Sequence, residues 1–111
     1  MQKIFVYGTL KTGQFSHGII SHDKRNKLIQ NKTMIGYTLH MNPMGYPEAV
    51  RKSVSYILGE IWNVTETTSS YVARLEVSSG YFPVSQDNVI FYIKSLRNIE
   101  GHKEIGSLYN G

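Results

Sequence analysis

The groups in this sequence that could do chemistry begin with Tyr7-Gly8-Thr9-Leu10. They follow Ile4 to Tyr7, an unbroken β-branched and aromatic run with the pattern of a buried strand. A strand that stops at Gly8-Thr9 leaves the N–H groups of Gly8, Thr9 and Leu10 without ladder partners, and glycine lets another group come close to them. Such a loop holds an anion; the plainer reading is a strand followed by a turn. Glu60, next to Gly59, is a carboxylate that either faces solvent or meets a partner. The four histidines, His17, His22, His40 and His102, follow no metal-ligand spacing, so no metal site is expected and surface or pocket-rim places suit them. Gly8-Thr9 followed by Lys11 lacks the glycine pattern of a nucleotide-binding P-loop. With no cysteine in the chain, thiol catalysis and a disulfide framework are both excluded.

These groups need a scaffold, and 111 residues are expected to supply one domain, 1–111, with a single core. A composition of 41% hydrophobic and 18% charged residues marks a globular chain and not a disordered one. Eight tyrosines against four phenylalanines suit rings with one wet edge, as in a pocket. The net charge of +4 permits attraction to anions. It does not point to nucleic acid: only Lys24, Arg25 and Lys27 cluster, with no aromatic neighbour in sequence. No leader pattern precedes the first strand and no run approaches the roughly 18 apolar residues of a membrane span. A cytoplasmic protein without membrane association, mature as written, is the expectation.

Along the chain, Ser16 is placed to N-cap one or two helical turns through His22, weakened by Gly18. Polar residues Asp23 to Lys27 then run over the surface. Thr33 to Met41 alternates with period two and reads as a strand buried on one face. Asn42 to Pro47 is a loop on composition, and Ala49-Val50 resumes a short strand. Ser53 to Val64 reads as a long strand in which Gly59 marks a bulge or a close approach. The strongest helix runs from Thr65-Glu66 to about Ser79, with Thr65 as cap, Tyr71, Val72 and Leu75 as its apolar stripe, and Gly80 as its stop. Tyr81 to Gln86 and Val89 to Ile93 form a hairpin about Asp87-Asn88. Beyond Arg97 the sequence is loop-like, with one further short strand or turn around Ile105 to Tyr109. The predicted class is α+β, a curved or closed antiparallel-rich sheet with one good and one short helix.

On these residues the chain resembles the γ-glutamylcyclotransferase-like family, which includes γ-glutamylamine cyclotransferases and AIG2-like proteins. Val6-Tyr7-Gly8-Thr9-Leu10-Lys11-Thr12-Gly13-Gln14 with His17 looks like the family's opening signature. Gly45-Tyr46-Pro47 with Ala49-Val50, then Leu58 to Val64, then Leu75-Glu76 with Gly80-Tyr81 follow in the family's order. The resemblance implies a small mixed β-barrel with helices packed around it. It also implies an activity without a cofactor, in which a γ-glutamyl group cyclises to 5-oxoproline and an amine or amino acid leaves. Tyr7, Gly8, Thr9 and Leu10 would cradle the substrate, a small molecule with a carboxylate or γ-glutamyl group, and their N–H groups would stabilise charge.

The family's base, a glutamate in the pattern Leu-Asp-x-x-Glu-Gly-Tyr, falls on Ser79. A serine hydroxyl is a very weak base unless another group activates it. The resemblance therefore implies a retained small-ligand pocket with impaired catalysis. An active cyclotransferase with a relocated base, Glu76 first and Glu60 behind it, is the alternative; for Glu76 the plainer reading is a surface residue. An interaction protein that binds nucleic acid or an acidic partner is the third.

Overall fold

The computed structural model describes residues 1–95 and 101–110. Its elements are β1 (Gln2–Val6), α1 (Gly18–Ser21), β2 (Lys27–Met41), β3 (Pro47–Val64), α2 (Glu66–Ser78), β4 (Phe82–Gln86), β5 (Val89–Ile93) and β6 (Lys103–Gly106). The strands form one sheet in the order β4-β5-β1-β3-β2-β6, and every pairing is antiparallel except that of β1 with β5. This mixed sheet curls into a half-barrel with two helices. Gln86 at one edge reaches over the curl to β2, donating from Nε2 to the Ile35 carbonyl at 3.0 Å and accepting from Tyr37 Oη at 3.1 Å.

Alternation along β1 divides the core in two. Phe5 and Tyr7 point into the curl with Met34, Tyr37, Ile57 and Phe91, where Phe91 meets both Phe5 and Tyr37 edge to face. Ile4 and Val6 point outward, where Leu10, Ile20, Trp62 and Val72 cover them beneath the helices. A strand buried on both faces has no polar side, which accounts for the unbroken apolar run.

Helix α2 begins as read: the Thr65 side chain accepts from the Thr68 N–H at 3.2 Å. A buried residue that carries no signal in sequence secures this end. Asn26 accepts from the Thr65 N–H at 2.8 Å and donates to the Ile20 carbonyl and to Thr68 Oγ1, tying α1 to α2. The helix ends in a Schellman motif, with Gly80 at φ +90° and N–H bonds from Gly80 to Val77 and from Tyr81 to Glu76. Asp87 and Asn88 take φ 54° and 65°, the primed turn expected between β4 and β5.

Several expectations are corrected. β2 starts at Lys27 and not at Thr33, because Lys27 to Ile29 and Gln30 to Lys32 are strand residues held by pairing with β3 and not by a buried face. β3 is continuous from Pro47, so Ala49-Val50 and Ser53 to Val64 belong to one strand; its exposed middle, Arg51 to Val54, hides the continuity. The ladder slips between Leu28 and Gln30 and between Ile35 and Tyr37, whereas Gly59 pairs in register with Lys32 and serves a close approach. A Cβ on Gly59 would fall on the Val6 carbonyl and 2.7 Å from Phe5 Cζ. Ser16 does not cap α1; His17 holds that position, in helical conformation and without a side-chain cap. Tyr71 and Leu75 are both exposed, and of the expected apolar stripe of α2 it is Val72 that is buried. The last strand begins at Lys103 and pairs with β2, and the loop read beyond Arg97 falls in part on 96–100, outside the described residues. No helix among the described residues is long and apolar enough to cross a membrane.

Candidate active site

Where β1 ends, Gly8 passes under Pro47; a Cβ on Gly8 would stand 2.8 Å from Pro47 Cγ. The loop beyond is fixed through its carbonyls. Lys11 N–H donates to the Gly8 oxygen at 3.0 Å, Ser16 N–H to that of Thr9 at 2.8 Å, and His17 Nδ1 lies 2.8 Å from that of Leu10. The N–H groups of Gly8, Thr9 and Leu10 donate to no protein acceptor among the described residues. The His17 ring also packs against Trp62, with centroids 5.2 Å apart, which puts this histidine at the rim of the loop.

The loop forms one wall of a cavity of about 310 Å³. Tyr7, Gly8, Thr9 and Leu10 line it on one side, and Val72, Leu75, Glu76 and Ser79 of the α2 end line it on the other. Tyr46, Tyr81 and Tyr92 complete it, so the surplus of tyrosine does serve a pocket with wet edges. The phenols are fixed where they meet backbone: Tyr7 Oη donates to the Tyr92 carbonyl at 2.6 Å and accepts from Ala49 N–H at 3.1 Å, while Tyr81 Oη donates to the Pro47 carbonyl at 3.0 Å. Burial pushes the Tyr7 and Tyr81 phenols above their usual range and keeps them neutral donors.

Glu76 is not the surface residue of the plainer reading. It is half-buried in the cavity wall, and loss of solvent pushes its carboxyl up to about 7, against the pull of the Lys94 ammonium. A carboxyl there is divided between its acid and base forms near neutral pH, a condition suited to taking up and returning one proton. Ser79 lines the same cavity, but its hydroxyl donates back to the Leu75 carbonyl at 2.9 Å.

Glu60 is elsewhere. Its Oε1 accepts from Thr12 N–H and Oγ1 and from Trp62 Nε1 at 2.9 to 3.1 Å, so it pins the Thr12 turn to β3, away from the cavity. The basic cluster is partly spent, since Arg25 pairs with Asp23 at 2.9 Å. No three histidine, aspartate or glutamate side chains converge as a metal-ligand set among the described residues.

Residues 4–105 match the family described as gamma-glutamyl cyclotransferase, AIG2-like. The chain belongs to this family. The match spans both walls of the cavity, from the loop after β1 to the end of α2. A protein of Methanocaldococcus jannaschii named "Putative gamma-glutamylcyclotransferase" is 31% identical over 91 residues, covering 81% of this chain and 73% of that protein. Among solved structures, protein ytfP of Escherichia coli superposes with a TM-score of 0.68 at 25% identity, over 96% of this chain and 93% of that one. A mouse AIG2-like protein superposes with a TM-score of 0.67 at 17% identity, over 99% of this chain and 80% of the other, a likeness of fold.

One neighbour of the AIG2-like cavity, Glu48, escaped the sequence reading. Glu48 is almost fully buried, accepts from Asn42 Nδ2 at 2.9 Å and lies 3.7 Å from Lys94 Nζ. His102 Nδ1 approaches its other oxygen to 2.8 Å at angles that make no hydrogen bond. The available signal was a carboxylate set between Pro47 and the apolar pair Ala49-Val50.

Proposed function

We propose that the protein is a γ-glutamyl cyclotransferase whose base is Glu76, relocated by one helical turn from the family's position at Ser79. The observation that carries this reading is Glu76 itself, a desolvated carboxyl with a pKa of about 7 on the wall opposite the unpaired N–H groups of Gly8 to Leu10.

The chemistry balances on these groups alone. The Glu76 carboxylate takes a proton from the substrate's α-ammonium, and the freed amine attacks the γ-carbonyl carbon. The oxygen gains negative charge, which the N–H groups of Gly8, Thr9 and Leu10 would stabilise. The intermediate collapses with cleavage of the γ-carbon–nitrogen bond. The departing amine receives the proton held by the Glu76 carboxyl. The regenerated carboxylate then takes the second proton, which the attacking nitrogen sheds as it becomes the lactam N–H, and passes it to the released amine. The amine leaves as its ammonium beside 5-oxoproline and the restored carboxylate. Attack by the substrate's own amine is favoured over hydrolysis because it is intramolecular.

The test is 5-oxoproline release from γ-glutamyl amines, γ-glutamyl amino acids and glutathione by wild type, Glu76→Gln and Ser79→Ala. Turnover that falls about 10²- to 10⁴-fold in Glu76→Gln and persists in Ser79→Ala is the expected result. A wild type that binds a γ-glutamyl compound without turnover would instead favour a binding protein, the reading that the serine at the family's base position supports.

A further inference from the structure

Lys94 follows the last residue of β5, and its side chain turns toward the end of α2 that carries Glu76. Its ammonium donates to the Ser79 carbonyl at 3.0 Å and lies 4.8 Å from the Tyr81 ring centroid, over the face of the ring. It also lies 3.7 Å from Glu48 Oε2. It fills the space beside Gly80, where a Cβ would stand 2.8 Å from Nζ. The Lys94 side chain is only 15% exposed, and its backbone N–H donates to the Ala49 carbonyl at 2.9 Å. A lysine so fully engaged is more than a solvated charge. It sits at the negative end of the α2 dipole, where a cation is stabilising, and it joins the helix end to both β3 and β5.

We propose that Lys94 is the positioning residue for Glu76: through its bond to the Ser79 carbonyl it anchors the helix end that carries this carboxylate and brings a positive charge to that end. The inference rests on the reading of Glu76 as base. Among the described residues the other titratable groups that line the cavity with Glu76 are phenols, Tyr7 after β1, Tyr46 before β3, Tyr81 before β4 and Tyr92 on β5, and none of them carries positive charge. Among the described residues it is Lys94 that opposes the desolvation of Glu76. Lys94 also lies 3.7 Å from the buried Glu48, whose other oxygen meets His102.

The test separates this role from activity. The Glu76 carboxyl carbon is titrated by NMR in wild type, Lys94→Met and Lys94→Arg, beside the pH profile of 5-oxoproline release. Lys94→Met should raise the Glu76 midpoint by about one unit. It should also lower kcat/KM about tenfold at pH 6.5, with most of the loss recovered by pH 8.5. Lys94→Arg should restore the midpoint. Because Lys94→Met leaves Glu48 without its ammonium, the titration is repeated in Glu48→Gln and Glu48→Gln/Lys94→Met, where the same upward shift between the two is expected. An unmoved midpoint in the folded variants, or an equal loss of rate at every pH that arginine does not rescue, would overturn the proposal. If wild type shows no turnover, the carboxyl titration still decides the role of Lys94, and only the assignment of Glu76 as base fails.

Discussion

The Tyr7 hydroxyl donates to the carbonyl oxygen of Tyr92 at 2.6 Å, across the parallel junction of β1 and β5. That junction has a single paired register, Ile4 with Ile90, so the phenol adds a second tie where the ladder is thin. The same oxygen accepts from Ala49 N–H and joins three strands at the cavity floor. Tyr7→Phe removes both bonds and strands a buried N–H. A loss of about 1–3 kcal/mol in urea unfolding is expected; stability equal to wild type would show that the tie carries nothing.

Glu76 makes stability depend on pH in the direction opposite to that of a salt-bridged carboxylate. Its folded pKa, about 7, lies above the ordinary 4.5, so the folded chain holds its proton more tightly than the unfolded chain. Stability is therefore fully present below about pH 4.5 and is lost as pH rises through 7, by at most about 3 kcal/mol. Glu76→Gln should gain on wild type between pH 5 and pH 8 in chemical denaturation. A difference between the two proteins that is the same at both pH values would refute the buried carboxyl.

Ser79→Glu, made in the Glu76→Gln background, places a carboxylate at the family's position in the same cavity wall. It should recover at least about tenfold in 5-oxoproline release over Glu76→Gln alone, since the positioning supplied by the loop after β1 is untouched. A folded but inert double variant would mean that a side chain at 79 cannot reach the reacting amine. Made alone, Ser79→Glu should shift the pH profile upward, because two carboxyl groups one helical turn apart disfavour joint ionisation.

Gly59→Ala should destabilise the fold by at least about 1–3 kcal/mol, since the methyl meets backbone at Val6 and the ring of Phe5. Thermal melting within a degree of wild type would show that β1 and β3 can part without cost.

Elements with local chemical signals were legible in the sequence. The apolar run of β1, the Thr65 cap, the Gly80 stop and the Asp87-Asn88 turn each lie where read. Lys27 to Lys32 was not legible as strand because Leu28 and Ile29 are half exposed and alternation has no buried face to report. Of the cavity walls, Tyr7 to Leu10 stood out by its own residues, whereas Ser79 and Glu76 entered only through the resemblance and Glu76 read more plainly as a surface residue. The exclusion of Glu60 could not be read, because its orientation depends on Thr12, and the service of Asn26 and Lys94 depends equally on partners remote in sequence.

The place of β1 in the sheet bears on how the chain acquires its shape. β2 with β3, and β4 with β5, are neighbours in sequence and can pair early, but β1 pairs with Glu60 to Val64 on one side and with Ile90 on the other. Contacts of such long range form slowly, since the intervening chain must first be gathered in. β1 thus finds its place only after β3 and β5 have been gathered in, and the loop that follows it is fixed with it.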